Sequence, residues 1–350
     1  MKIALLSPYF DVVNHGAEQF TRKMKVEFEA KGHTVDIFNF EDYTSFTKFF
    51  EEYFSASYFG SFCRKYIGIE PSIFYARYVK QLSKKSFEDY DLLWCNSEFI
   101  VSLFCKSIRD KNNVPFIVTS HQNKSRLLKS IAKLKPDLLA VLTPEYKNFL
   151  QGIDCNVVCI LPGIDTDYFK PNRKHLFDNL PKPVFLSTSA LISGKRINAI
   201  IDAVSETEGS FVFTSDGPER KKLLKLCGQK LPGRYQYLGI VDDLPSVYNS
   251  VDFYISASLS EGLSRSIHEA MGCNIPIVYQ EDEIRKWQVG EGGIGCNTFN
   301  KSLFVSALKS LQYSEFKDEP RKQAEKFDWN TTVETYMKEI QNIMEARRIS

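Results

Sequence analysis

Residues 256–278 read SASLSEGLSRSIHEAMGCNIPIV, and they combine a strand end, a loop, a helix and the start of a further strand. The apolar runs at residues 253–256 and 277–279 predict the two strands. The helix is predicted to begin around Ser264–Ser266 and to end at Gly272. A strand, a helix and a second strand in this order are typical of a parallel sheet covered by helices.

The same alternation extends outward in both directions. Before residue 165, strands are predicted at residues 2–6, 34–40, 92–95, 115–119, 138–142 and 157–161. After it, further strands are predicted at residues 184–187, 211–214 and 235–238. The irregular segment 165–179 and the run Pro181-Lys182-Pro183 separate the two sets. We therefore predict two doubly wound α/β domains, which 350 residues are enough to build.

The domain boundaries follow from that interruption. We predict a first domain at residues 1–164, a second at residues 165–329, and a terminal helical segment at residues 330–350 that packs back on the first domain. Ligands of open α/β sheets bind beyond the carboxyl ends of the strands. The residues that follow each strand are therefore the candidates for chemistry.

Composition and charge argue against several classes of protein. The formal net charge of +2 argues against a protein built mainly to bind nucleic acid. None of the eight cysteines forms a CxxC pair or a zinc-like quartet, which favours a reducing compartment and no metal site. The apolar run at residues 1–6 is too short for a signal peptide, and no run approaches the ~20 apolar residues of a membrane-spanning helix. A cytoplasmic protein is predicted.

The loop and helix of residues 256–278 carry the first candidate site. Gly262 allows the backbone to approach a ligand closely, and the amino end of the helix suits a phosphate. Glu261 precedes the helix and Glu269 lies within it, so both are candidates to border one ligand. In an alternative interpretation, Ser266 and Glu269 form a capping box and Glu261 is a solvated loop acid.

A pair of cations follows the strand predicted at residues 184–187. Lys195 and Arg196 precede the helix predicted at residues 197–204. Cations at this edge of a sheet are suited to neutralise a diphosphate leaving group, whose charge grows as its bond breaks. The alternative is a solvated charged turn.

Two further candidates follow strands of the first domain. Gly16 opens the helix after the first strand, where a glycine allows close approach to a ligand or simply starts a helix whose dipole Glu18 complements. His121 follows the strand that ends at Thr119, and it is either a site residue or a structural histidine.

Motifs along nearly the whole chain resemble those of one enzyme family. Glu261 and Glu269, with seven residues between them, look like the E-x7-E signature of family 4 glycosyltransferases of the GT-B fold. The other matches follow the family's order and are HGAE at residues 15–18, GHTV at 32–35, LPGIDT at 161–166, KRIN at 195–198, DGPER at 216–220, YLG at 237–239, LP at 244–245 and FDW at 327–329.

This resemblance implies a fold and an activity. The fold is GT-B, in which two Rossmann-like doubly wound domains face each other across a cleft. The activity is transfer of a sugar from a nucleoside diphosphate sugar to a glycan, lipid-linked or other hydroxyl acceptor, with retention of the anomeric configuration. Two alternatives stay open: an epimerase of the same fold, and a catalytically weak nucleotide-sugar-binding module. A dinucleotide-dependent oxidoreductase is disfavoured because no G-x-G-x-x-G follows the first strand.

The resemblance also implies roles for individual residues. Glu261 matches the carboxylate that binds the donor sugar, and Glu269 matches the one that holds the ribose hydroxyls. Lys195 is implied to stabilise the departing diphosphate, and His121 to contact the sugar or the acceptor. The remaining donor-binding positions that it implies are Gly16, Arg196, Gly217, Val241, Gly262, Leu263 and Ser264.

Three features depart from the family pattern or need interpretation within it. Ala190 stands where the family usually has an arginine five residues before the lysine, so Arg196 is the candidate for the second cation. Ser215 replaces the first glycine of the turn at residues 215–217. Asp165 and Asp167 spell the D-x-D metal signature of the other main glycosyltransferase fold, but they lie inside the linker motif. We therefore expect neither a metal nor a cofactor.

A basic segment suggests a further partner. If residues 121–135 are helical, Arg126, Lys129 and Lys133 share one face. Together with the aromatic block at residues 46–90, this face predicts a surface for an anionic acceptor or for peripheral contact with the inner membrane face. A solvated helix face is the alternative.

Overall fold

The computed structural model describes residues 1–10, 16–41, 69–96, 98–121, 125–259 and 263–349. Much of the aromatic block at residues 46–90 lies outside these ranges, as do Glu261 and Gly262. The chain divides into two compact units, which are Met1–Leu161 with Val333–Ser350, and Pro162–Thr332. The second domain was predicted to begin at residue 165, and the second unit begins at Pro162.

The first unit is built on one sheet. Its strands are β1 (Lys2–Leu6), β2 (Thr34–Phe38), β3 (Leu92–Asn96), β4 (Phe116–Thr119), β5 (Leu138–Val141) and β6 (Val157–Cys159). Its described helices are α1 (Gly16–Ala30), α2 (Ile69–Leu82), α3 (Phe99–Asn112), α4 (Ser125–Ala132) and α5 (Pro144–Phe149). The strands pair in parallel in the order β2-β1-β3-β4-β5-β6.

The second unit repeats this plan. Its strands are β7 (Val184–Ser187), β8 (Ser210–Phe213), β9 (Tyr235–Tyr237), β10 (Phe253–Ser256), β11 (Ile277–Gln280) and β12 (Gly293–Cys296). Its described helices are α6 (Ile197–Val204), α7 (Arg220–Lys230), α8 (Leu244–Tyr248), α9 (Arg265–Gly272), α10 (Glu283–Val289), α11 (Lys301–Lys309), α12 (Tyr313–Phe316) and α13 (Glu319–Glu325). The strands pair in parallel in the order β12-β11-β10-β7-β8-β9. The last helix, α14 (Trp329–Ile349), starts in this unit and belongs to the first unit from Val333 onward.

Both sheets confirm the predicted α/β class, and each reverses its strand order at one point. The reversal falls between β1 and β3 in the first sheet and between β7 and β10 in the second. Ligands of open parallel sheets bind beyond the carboxyl ends of the strands at such a point. The residues that follow β7 and β10 are therefore the first place to look for a site in the second unit.

Strand β12 was not predicted from the sequence. Its residues are GIGC, and a glycine-rich run lacks the β-branched pattern by which strands are recognised. A Cβ atom on Gly293 would lie 2.1 Å from the carbonyl oxygen of Ile277. Glycine is therefore required there by the close approach of β11, and the strand forms through its backbone pairing.

The linker motif at the start of the second unit has a structural role. The amide of Ile164 donates to Phe327 O at 2.7 Å, and a Cβ atom on Gly163 would lie 2.2 Å from the Trp329 ring. The Asp165 carboxylate accepts from the amides of Asp167 and Tyr168 at 3.2 and 2.8 Å. The first aspartate of the D-x-D sequence thus closes a turn.

Two properties of the described residues bear on the predicted partners. No described helix combines the length and the apolar character that are needed to cross a bilayer. Within the same residues, no cluster of three or more His, Cys, Asp or Glu side chains is arranged to hold a metal ion.

Candidate functional site

The site of the second unit begins with two loops that meet at the switch point. Lys195 ends a 3₁₀ turn (Ser193–Lys195) that follows β7. The amide of Leu259, just after β10, donates to Gly194 O at 2.9 Å. The fold thereby ties the loop that leads toward Glu261 to the turn that carries Lys195. Glu261 and Gly262 themselves lie outside the described residues, so their predicted roles stay predictions.

Lys195 is half-buried at this junction. Burial lowers the pKa of its ammonium group, and the positive charge of Arg285 lowers it further. A cation that has already lost part of its hydration interacts more strongly with an incoming anion than a solvated one. The position suits a group that binds phosphate.

Arg196 is placed differently from the expectation. Its backbone adopts a left-handed conformation with φ of 53°, and its guanidinium donates to Thr298 Oγ1 at 2.8 Å and to Thr298 O at 3.1 Å. The same group lies 4.0 Å from the centre of the Phe299 ring and contacts Ala257 O at 3.4 Å. Through these contacts the guanidinium joins the segments that follow β10 and β12. The expectation that Arg196 supplies the second donor-binding cation stays a prediction.

A different arginine bonds the loop that is tied to the turn of Lys195. Arg285, in helix α10, is fully buried and donates to Ser258 O at 2.9 Å and to Gln280 O at 2.8 Å. Asp282 lies 3.3 Å from its guanidinium. The sequence analysis missed this residue because the charged run at residues 281–286 is typical of a solvated helix face. Its only sequence signal is its position just after a strand.

A glutamine of helix α10 bonds the backbone of the residue that precedes helix α9. Ser264 is the N-cap residue, but its side chain makes no capping hydrogen bond. Its amide donates to Gln288 Oε1 at 3.2 Å, and its carbonyl accepts from Gln288 Nε2 at 2.7 Å. The Ser264 amide is therefore engaged within the protein, and the expectation that Ser264 contributes to donor binding stays a prediction. The amides of the first helical turn, which have no intrahelical acceptor, remain the candidates for phosphate. Leu263 is half-buried just before them.

Gln288 also fixes the protonation state of a buried histidine. His268 Nε2 lies 3.0 Å from Gln288 Nε2, which can only donate, so this ring nitrogen accepts. Burial lowers the pKa of His268 to about 3, and its ring lies 4.0 Å from that of Phe327. His268 is thus a neutral packing residue on the buried face of helix α9.

Glu269 does not form a capping box. Helix α9 begins at Arg265, so Ser266 and Glu269 both lie inside it. Tyr248 donates its hydroxyl to Glu269 Oε2 at 3.1 Å, and Arg265 lies 3.8 Å from Oε1. Burial raises the pKa of the Glu269 carboxyl, while Arg265 and the Tyr248 hydrogen bond oppose that shift. The alternative interpretation of Glu269 as a helix cap is wrong.

The turn after β8 is tied to the loop after β7. A Cβ atom on Gly217 would lie 2.4 Å from Leu191 O, and the amide of Leu191 donates to Asp216 O at 3.0 Å. Gly217 is therefore required for this close approach of backbones. Ser215, which replaces a glycine of the family motif, adopts a φ of 77°. Val241 is half-buried in the segment that follows β9.

His121, a candidate of the first unit, bonds to a residue of β3, one of the two strands at which that sheet reverses its strand order. His121 Nε2 bonds to Asn96 Oδ1 at 3.1 Å, and Asn96 Nδ2 lies 3.4 Å from Ser7 Oγ. These three residues follow or end strands β4, β3 and β1. Burial lowers the pKa of His121 to about 4, so the imidazole is neutral near pH 7. Gly16 is the first residue of helix α1.

Comparisons with known proteins agree with this architecture. Residues 182–312 match the family model described as Glycosyl transferases group 1. The chain is 35% identical over 98 residues to the GtfA subunit of UDP-N-acetylglucosamine–peptide N-acetylglucosaminyltransferase from Streptococcus agalactiae, which covers 27% of this chain and 19% of that protein. It is 22% identical over 203 residues to the uncharacterized glycosyltransferase MJ1178 of Methanocaldococcus jannaschii, which covers 55% of this chain and 56% of that protein.

A solved structure covers the whole chain. Anabaena HepE, crystallised in complex with UDP, superposes with a TM-score of 0.70 at 16% identity, over 98% of this chain and 100% of that one. The fold is therefore that of the GT-B glycosyltransferases. The match to the glycosyl transferases group 1 model lies within the second unit.

Proposed function

We propose that this chain transfers a sugar from a nucleoside diphosphate sugar to a hydroxyl acceptor. One observation carries the proposal. The two strands at the switch point of the second sheet are followed by a half-buried lysine, Lys195, and by helix α9, whose amino end has no side-chain cap and which carries the half-buried Glu269. These are groups that a diphosphate and a ribose require.

The roles divide by chemistry. Lys195 and the first-turn amides of α9 hold the diphosphate and stabilise the charge that develops as it departs. Glu269 accepts hydrogen bonds from the ribose hydroxyls, and Glu261 binds hydroxyls of the donor sugar. The remaining donor contacts are proposed to come from Gly16, Arg196, Gly217, Val241, Gly262, Leu263 and Ser264.

The reaction is proposed to retain the anomeric configuration. The diphosphate leaves and the acceptor attacks on the same face of the sugar, so no side chain acts as a covalent nucleophile. A neutral His121 fits this scheme, because an unprotonated ring nitrogen accepts a hydrogen bond from a hydroxyl of the sugar or the acceptor. Lys195 and the helix amides carry the phosphate charge, so the proposal needs no metal.

The acceptor is proposed to be a glycan or a lipid-linked molecule. Helix α4 exposes Arg126 and Lys129, and Lys133 just beyond it is also exposed. Lys129 lies 4.3 Å from the centre of the Phe149 ring, which is 38% exposed. A basic and aromatic surface of this kind suits an anionic acceptor or anionic headgroups at a membrane.

A thermal-shift screen tests the proposal. The ligands are UDP, GDP, ADP and dTDP, their sugars, and the matching nucleosides. A ligand at 100 times its Kd stabilises a protein by about 2.7 kcal/mol. We expect one diphosphate family to raise the melting temperature and its bare nucleoside to do so much less. A screen in which no diphosphate shifts the melting temperature contradicts the proposal.

Product analysis separates the remaining alternatives. A transferase forms a glycoside on an acceptor, whereas an epimerase releases nucleoside diphosphate without any acceptor. A binding module gives the thermal shift but turns over no donor. The matches to glycosyltransferases do not favour the epimerase.

A further inference from the structure

Arg285 is a fully buried arginine, and its hydrogen bonds and ion pair with described residues lie within the second unit. Its two terminal nitrogens donate to Gln280 O and Ser258 O at 2.8 and 2.9 Å, and Nη1 pairs with Asp282 at 3.3 Å. Its Nε is buried, and the described residues offer it no hydrogen-bond partner. Burying a charge is costly unless it is paired or serves a bound ligand.

The Ser258 contact is one of three that hold consecutive residues after β10. Arg196 contacts Ala257 O at 3.4 Å, Arg285 contacts Ser258 O at 2.9 Å, and the Leu259 amide donates to Gly194 O at 2.9 Å. Gly194 immediately precedes Lys195 in the 3₁₀ turn. Arg285 is therefore linked to Lys195 through one short loop.

We propose that Arg285 is a positioning residue for the donor diphosphate: it fixes the loop beside Lys195 and adds a positive charge to that site. The inference rests on the proposed function. The charge comes from a different element, helix α10, and it lowers the pKa of Lys195.

The charge acts without touching the ligand. Two cations held close together in a partly desolvated place repel each other, and a bound diphosphate relieves that repulsion. The nucleoside carries no such charge. Arg285 is therefore expected to favour the diphosphate over the nucleoside, which a purely structural arginine does not do.

Arg321 provides the matched control. It also bonds backbone carbonyls of the second unit, with Nη1 at 2.9 Å from Thr166 O, Phe169 O and Gly272 O. These carbonyls belong to the linker and to the carboxyl end of helix α9. Arg321→Gln therefore removes comparable hydrogen bonds without removing charge from the turn of Lys195.

The experiment is calorimetric titration of whichever of UDP, GDP, ADP and dTDP binds best, and of its nucleoside. We expect Arg285→Gln to weaken diphosphate binding by about tenfold while nucleoside affinity is unchanged. Arg285→Lys keeps the charge and should keep most of the diphosphate affinity. Arg321→Gln should lower the melting temperature and leave both affinities unchanged.

Two results overturn the inference. One is a folded Arg285→Gln that binds the diphosphate like the wild type. The other is an equal loss of diphosphate and nucleoside affinity, which indicates distortion. If Arg285→Gln does not fold, Arg285→Lys takes its place, and an equal loss of diphosphate and nucleoside affinity in that variant contradicts the inference. A wild-type protein that binds no diphosphate instead contradicts the proposed function itself.

Discussion

The hydroxyl of Tyr248 donates to Oε2 of Glu269 at 3.1 Å, from a ring that is fully buried. The same hydroxyl lies 2.9 Å from Thr188 Oγ1, which directly follows β7. Oε1 of Glu269 is 3.8 Å from Arg265, beyond hydrogen-bond distance. The carboxylate is thus oriented through one oxygen, as a group that binds a hydroxyl with the other oxygen needs to be.

This relationship predicts unequal effects of two substitutions. Glu269→Gln should weaken binding of the bare nucleoside diphosphate by about 1.5–3 kcal/mol for each lost ribose hydrogen bond. Tyr248→Phe should cost less, about 1 kcal/mol, because the carboxylate remains but is no longer oriented. Tyr254→Phe is the control, since that hydroxyl donates to Ser266 Oγ at 2.8 Å. If calorimetry shows that a folded Glu269→Gln variant binds the nucleoside diphosphate as tightly as the wild type, Glu269 does not bind the ribose.

The buried His268 predicts how stability depends on pH. Its pKa is about 3 in the folded protein, below the unfolded value near 6.5, so the unfolded chain takes up the proton first. The stability that the neutral ring contributes is present above pH 6.5 and is lost as pH falls toward 3. The free energy of unfolding is expected to fall by about 2 kcal/mol between pH 6.5 and 5. His268→Gln, which keeps an acceptor for Gln288, should flatten the pH dependence. Urea unfolding at pH 5 and pH 7 measures it, and an unchanged slope in the variant argues against a neutral buried ring.

The positive φ of Ser215 predicts a stabilising substitution. A serine at a φ of 77° is strained, whereas glycine adopts this conformation freely. Ser215→Gly should therefore stabilise the protein by about 0.5–1 kcal/mol in thermal or urea unfolding. Ser205, at a φ of −61°, is the matched control, and Ser205→Gly should destabilise by a similar amount. Destabilisation by Ser215→Gly would mean that the serine side chain contributes more than its backbone strain costs.

Much of this fold follows from local patterns in the sequence. Strands β1, β7 and β10 and helix α6 have the predicted bounds, because short apolar runs that are buried on both faces leave little ambiguity. Strand β12 was not predicted because its residues, GIGC, lack the run of β-branched side chains by which strands are recognised.

The site is less predictable than the fold. Position after a strand made Lys195 a candidate, but it could not show that the Arg196 side chain bonds Thr298 or that the charge of Arg285 lowers the pKa of Lys195. Those outcomes depend on contacts between segments about 90–100 residues apart. No local pattern encodes them.

Metal dependence provides a further test. Asp165 accepts two backbone hydrogen bonds in the linker turn, and the proposal uses Lys195 and helix amides for the phosphates. Activity is therefore expected to survive EDTA. Loss of transfer in EDTA, with recovery on addition of Mn²⁺ or Mg²⁺, would show that the interpretation of Asp165 and Asp167 is incorrect.

The measurement that tests the central claim most directly is the effect of Lys195→Ala on kcat/KM for the donor sugar identified by the screen. Removal of one preorganised charge from a departing diphosphate is expected to lower kcat/KM by roughly 10²–10³. Lys225→Ala, at an exposed position of helix α7, is the control and should behave like the wild type. A folded Lys195→Ala with an unchanged kcat/KM would contradict the account, because the diphosphate would then be held elsewhere.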